Sequence, residues 1–199
     1  MSTHNRGSAK KACVALLAAL VICGCSENPG WQQEGEPQPA GLFGQKSSTP
    51  TPDEVARMLE PNVLGVSCFY DPLNPWLWNT DHTRVRGLRI SALYLRGPNY
   101  TGVFGDGVIR PKLFVAYRDE EGAEKYRLVK EWEFDVEAAL PFRAKRRMRA
   151  GWGYGLFLDW DDLDLSGRSI RLIVQFERAD GIVISGSKKD FRFPRPDST

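Results

Sequence analysis

Residues 169–178 read SIRLIVQFER, and Ile170, Leu172, Val174 and Phe176 fall on every second position. Arg171, Gln175 and Glu177 occupy positions between them. A period of two places the first set on one face of a strand and the second on the other, so this segment covers a core and faces water. Ala179-Asp180-Gly181 then turns the chain into a further strand over 182–185, and Phe191 and Phe193 end the apolar pattern. Upstream, residues 154–158 form a short strand. Residues 108–118 (VIRPKLFVAYR) and 126–135 (YRLVKEWEFD) flank a polar stretch over 119–125, which predicts a hairpin with a long turn. In its second arm Tyr126, Leu128, Trp132 and Phe134 share a face that Lys130 interrupts. Pro111 predicts an edge strand or a bulge in the first arm, because proline cannot donate to a ladder. Residues 88–96 (LRISALYLR) alternate at first and are apolar on nearly both faces later. Leu64, Val66, Cys68 and Tyr70 alternate in the earliest strand.

Seven or eight short strands without a long amphipathic helix predict an all-β fold, an antiparallel two-layer β-sandwich. A partly open barrel is the alternative. The spaced Cys…Trp…Cys of immunoglobulin domains is absent, so the likeness to Ig or C2 domains is one of architecture. A short helix precedes the strands. Thr51 can cap it, Pro52 suits its first position, Glu54 can close a capping box, and Pro61 stops it after about nine residues. Val55, Met58 and Leu59 would share its buried face.

The 199 residues are 42% apolar and 26% charged, a globular composition. Three of the 27 basic groups, Arg6, Lys10 and Lys11, lie in residues 1–24, which hold no acid. The remaining 24 face 25 acids, a net charge of −1 over 25–199. Such a balance argues against a nucleic-acid partner. Only His82 follows residue 24, so a His-rich metal site is excluded.

Residues 12–22 (ACVALLAALVI) follow a basic start as an unbroken apolar run. Eleven residues are about half of a bilayer span, as in a signal-peptide core. Ile22-Cys23-Gly24-Cys25 comes next. This resembles the lipobox of bacterial lipoproteins, in which an aliphatic residue and two small residues precede the lipid-bearing Cys. Cys23 at the second small position departs from the commonest form. The resemblance implies cleavage after Gly24, a diacylglycerol on the Cys25 thiol, and a membrane anchor of two or three acyl chains. Ser26 then implies the outer membrane. The chain as a whole also resembles lipoproteins of bacteria with elaborate envelopes, such as planctomycetes. That likeness implies no particular activity.

The chain therefore divides into a signal peptide (1–24), a lipidated Cys with a Pro/Gly-rich tether (25–51) and one domain (52–199). The tether's composition cannot bury enough surface to order itself, and random-coil scaling gives it a reach of roughly 25–30 Å. With Cys13 and Cys23 removed and Cys25 lipidated, Cys68 is left alone as a small buried hydrophobe.

Three features point to ligands. Arg143, Lys145, Arg146, Arg147 and Arg149 put five cations into seven residues, an anion site for an anionic lipid, an acidic glycan or a protein partner, or else a solvated connection. Trp76, Trp78, Tyr100 and Trp152 lie in or beside loops, where flat rings stack on sugars or rest at a lipid interface, or plug the ends of the sandwich. Asp159, Asp161, Asp162 and Asp164 offer hard oxygens to Ca²⁺ without EF-hand spacing. The basic and acidic runs flank the strand over 154–158 and should lie near its opposite ends. Catalytic motifs are weak. Ser185-Gly-Ser-Lys188 matches S-x-x-K but trails a strand instead of opening a helix, and residues 102–107 (GVFGDG) read as a loop with no helix after it. A carbohydrate hydrolase would need two carboxylates, with Glu131, Glu133 and Asp159 as candidates. The expected function is a non-catalytic binding or assembly module anchored in the cell envelope. The alternatives are that hydrolase and a structural spacer.

Overall fold

The computed structural model describes residues 49–160 and 163–194. The signal segment, Cys25, the tether up to residue 48, Asp161 and Asp162 lie outside the described residues.

Two sheets make a β-sandwich. The first strands of the chain are β1 (Leu59–Glu60), β2 (Gly65–Phe69), β3 (Trp76–Trp78), β4 (Val85–Arg96) and β5 (Gly102–Gly105). With β8 (Tyr154–Asp159) they form a six-stranded sheet whose spine is β4. Strands β2 and β3 pair with β4 in turn, as do β5 and β8, and β1 lies parallel to β5. The second sheet has five strands: β6 (Gly107–Arg118), β7 (Glu124–Glu131), β9 (Ser169–Arg178), β10 (Val183–Ser185) and β11 (Lys189–Arg192). Its order is β7-β6-β9, with β10 and β11 end to end along the far side of β9. No strand is shared between the sheets, so the fold is the sandwich and not the partly open barrel. Leu88, Ile90, Leu93, Leu95, Leu156 and Leu158 from one sheet meet Ile109, Leu113, Ile170, Leu172, Val174 and Phe176 from the other. Residues 45–199 form a compact unit that holds this whole core, so the segment carries what it needs to fold alone.

Strand β9 has the alternation read from its sequence, with all four predicted residues buried. Strand β4 does not keep one phase. Ile90 pairs with Leu156 and Leu93 with Tyr154, three residues against two. This bulge resets the alternation, so Leu88 and Ile90 before it and Leu93 and Leu95 after it all point inward. That is why the segment reads as apolar on both faces.

Other expectations are corrected. The helix α1 (Pro52–Arg57) has its capping box, Thr51 N–H to Glu54 Oε2 at 2.6 Å and Glu54 N–H to Thr51 Oγ1 at 3.3 Å. It ends six residues in, because Leu59 and Glu60 leave to pair with Phe104 and Gly105. Val55 is buried and Met58 is exposed. The glycine-rich run is strand β5 followed by the start of β6, not a loop. Strand β6 is central, not an edge. Pro111 is tolerated there because its carbonyl, and so its missing N–H, faces the side where β7 has ended: the carbonyl accepts from Trp132 N at 3.0 Å. Leu128 lies on the outer face, 48% exposed. Leu113 pairs with Lys130 and Phe114 with Leu128, a second bulge that splits the face expected of Tyr126, Leu128, Trp132 and Phe134.

Candidate functional site

The basic run follows a short helix, α2 (Val136–Ala139), capped by Asp135 Oδ1 accepting from Ala138 N at 2.8 Å, and one turn of 3-10 helix (Leu140–Phe142). The chain then meets the edge of β8, where Arg143 bridges Tyr154 and Ala144 N donates to Gly153 O at 2.8 Å. It reverses through Met148–Gly151, with Gly151 at a φ of 102° that favours glycine. Two bonds then seat it against β5: Gly102 N donates to Ala150 O at 2.6 Å and Trp152 N to Gly102 O at 2.8 Å. Only glycine fits at 102, since a Cβ there would lie 2.2 Å from Trp152 O.

The five cations of this run do not act alike. Arg143 is half-buried, and its Nε donates to Pro50 O at 2.7 Å while Nη1 donates to Leu140 O. It fastens the N-terminal root of the domain and is not displayed. Lys145, Arg146, Arg147 and Arg149 are exposed, and none has an ion-pair partner among the described residues. On the five-stranded sheet some cations are paired, while Arg118, Arg127 and Arg192 are exposed without an ion pair among the described residues. Arg110 holds Glu177 at 2.8 Å and also Glu133, Lys112 holds Glu131 at 3.4 Å, and Arg171 grips Asp190 through two bonds.

Between the basic turn and the outer face of the six-stranded sheet runs a groove of about 370 Å³. Ala92, Tyr94, Phe142 and Met148 give it an apolar floor, and Lys145 stands on its wall. Tyr94 is fixed by Phe69, edge-to-face at 5.8 Å, and by the Arg96 guanidinium 5.1 Å over its ring. Arg96 is in turn placed by Ser67 Oγ at 3.2 Å. Phe69 and Phe157 are each about half exposed on the same outer face. Sequence reading missed Tyr94 and Met148 as site residues. The first follows the bulge in β4, and the second stands inside a run noticed only for its charge.

The aromatic candidates divide in the same way. Trp76 and Trp78 are in β3, not a loop. Trp76 packs on Phe191 and Phe193, with ring centroids 5.9 and 5.3 Å away. Trp78 lines a second groove of about 460 Å³ with Arg84, Asp164 and Phe193. Trp152 stacks on Phe104 at 5.3 Å. Tyr100 alone is displayed, 76% exposed at the tip of the β4–β5 turn, with a φ of 56°.

The acidic run holds no assembled ligand set among the described residues. Asp159 is ion-paired with Arg86, and its carbonyl accepts from Trp132 Nε1 at 2.9 Å, a tie between the two sheets. Asp164 Oδ1 accepts from Ser166 N at 3.0 Å, which holds its carboxyl below the usual range. No three His, Cys, Asp or Glu side chains converge among the described residues, and Asp161 and Asp162 lie outside them. Glu131 is paired with Lys112, Glu133 with Arg110 and Asp159 with Arg86. Ser185 Oγ accepts from Gln175 Nε2 at 2.9 Å, a cross-strand bond between β10 and β9.

Cys68 faces inward from β2 beside Tyr70, at a cleft of about 550 Å³ that Lys188, Asp190 and Phe191 also line. Burial pushes the thiol up to about 12 from 9.0 and raises the Tyr70 and Tyr154 hydroxyls as well. A raised folded value means that the neutral form is favoured by folding. The stability is fully present below the unfolded value and is lost as the pH climbs through the folded one. The urea midpoint is therefore expected to be flat up to about pH 9 and to fall toward pH 12, with the first part of the fall reduced in Cys68→Ala. A thiol reagent at pH 8 should label native Cys68 roughly a hundredfold more slowly than the unfolded chain. A midpoint unchanged at pH 11 would contradict this account.

Against known proteins, the chain matches no family model, no curated protein and no solved structure.

Proposed function

We propose that this chain is a lipid-anchored protein of the bacterial cell envelope, seated in the outer membrane, and that its β-sandwich is a non-catalytic binding module. The observation that carries the binding half is the crowding of Lys145, Arg146, Arg147 and Arg149 into one turn beside an apolar groove, with no ion-pair partner among the described residues. Four like charges held close together repel one another, and that repulsion is relieved when an anion arrives. The anchor half rests on the lipobox-like Ile22-Cys23-Gly24-Cys25. It is tested by expressing the full chain in a bacterium fed labelled palmitate and sequencing the mature N-terminus by mass spectrometry. Label on Cys25, lost in Cys25→Ser and kept in Cys23→Ser, is the expected result. A Cys25→Ser chain that still carries label, or an uncut chain without it, would overturn the anchor.

A further inference from the structure

The geometry points to a membrane-docking surface: we infer that the turn bearing Lys145, Arg146, Arg147 and Arg149 sits on an anionic bilayer, with Met148 and Tyr100 entering the headgroup layer. This rests on the anchored reading above. Three observations converge on one end of the domain.

The first is charge. Four cations stand in solvent without ion-pair partners among the described residues, and a surface of lipid phosphates supplies the complement. Asp53 and Glu54 follow the root of the domain in sequence, and Glu54 is turned back onto the Thr51 N–H, a bond that holds its carboxyl below its usual value. The second is the apolar component. Met148, 47% exposed, projects from within the charged turn, and Tyr100 is the more exposed ring of the two turns. The turns are joined through Gly102, which bonds Ala150 and Trp152, so cations and apolar tips are neighbours. Charge plus a few apolar side chains is what an interfacial segment needs. The third is the chain's point of entry. Arg143 opens the same basic run and holds Pro50 O at 2.7 Å, so the segment that descends from Cys25 reaches the domain beside this turn. Cys25 and Pro50 are separated by 24 residues of sequence, so the turn beside Pro50 would be covalently tied close to the surface in which Cys25 would be anchored. The acyl anchor would hold the domain at the bilayer, and the polybasic turn would set which end of the domain faces it. An acidic protein partner would satisfy the charges but gives no reason for the patch to lie at the root.

The test uses residues 45–199, which carry the whole core and no lipid. Sedimentation is measured with vesicles of phosphatidylcholine alone and of equal parts phosphatidylcholine and phosphatidylglycerol. Binding to the anionic vesicles only, weakening as salt is raised, is the expected result. Each lost charge should cost about fivefold, so K145Q/R146Q/R147Q/R149Q should lose several hundredfold. Its thermal unfolding should be unchanged, because none of the four residues has a partner to lose. Arg110→Gln, on the other sheet, should bind as the parent does. Equal binding to both vesicles, no binding to either, or an undiminished quadruple variant overturns the docking surface. Retention on immobilised polyglutamate without vesicle binding also overturns it and assigns the turn to an acidic protein. Because the segment lacks Cys25, its failure leaves the palmitate result standing, and a failed palmitate result leaves vesicle binding standing.

Discussion

Truncating Trp160 to alanine should lower the unfolding free energy by about 3–5 kcal/mol, the cost of emptying a fully buried aromatic site. Trp160 is 1% exposed and is the largest of the fully buried side chains. Its ring packs on Phe193 with centroids 5.9 Å apart, while its backbone N–H donates to Arg86 O at 2.9 Å and fixes the position of the ring at the end of β8. Trp160→Phe should behave very differently. The indole Nε1 has no hydrogen-bond partner among the described residues, and a buried donor left unpaired costs about 1–3 kcal/mol. Phenylalanine removes that donor and keeps most of the ring, so its net effect should stay within about 1 kcal/mol of the parent. Urea unfolding of both variants decides the matter. A Trp160→Ala midpoint close to that of the parent would remove Trp160 from the core.

Gly102→Ala should cost about 3 kcal/mol and loosen the basic turn from its seat. The added Cβ would lie 2.2 Å from Trp152 O, 2.6 Å from Tyr94 Cδ1 and 3.0 Å from Ala150 O. Two of these are backbone atoms, which cannot swing aside as a flexible side chain would. The strand and the turn must part, and the bonds through Gly102 lengthen or break. Gly122→Ala provides the comparison. Gly122, unlike Gly102, has a positive φ, 81°, and nothing lies within 4 Å of its Cβ, so its cost is conformational alone, about 1 kcal/mol. If the two variants lost equal stability by urea titration, close packing of the turn on β5 would not be what holds it.

Sequence reading succeeded where one strand keeps one phase. Ser169–Arg178 pairs with β6 over nine consecutive residues without a shift, so its alternation survives intact in the fold. The reading faltered where a bulge intervenes, because an extra residue inverts every later side chain. In β4 this hid that Tyr94 looks outward onto the groove. In the β6–β7 hairpin it hid that Leu128 lies on the outer face of the other sheet. Strands β3 and β5, of three and four residues, are too short to show a period at all.

The candidate site was legible as composition but not as geometry. The charged run stood out at once, yet nothing in RAKRRMR separates Arg143, which is spent on Pro50 and Leu140, from the four cations left in solvent. That distinction depends on where residue 50 lies in space. The acidic run misled in the opposite sense. Asp159-Trp160 drew notice for its carboxylate, while its tryptophan is among the most completely enclosed residues of the domain.

The position of β7 has a consequence for self-association. It closes one side of the five-stranded sheet, and its outward row of backbone groups could template a further strand from another molecule. Any such strand would have to lie along Glu124, Lys125, Arg127 and Glu131, all exposed, and would meet a bulge partway. Continuous fibre growth needs a straight, uncharged rim. This rim is interrupted by a bulge and densely charged, which makes it a poor template for a further strand.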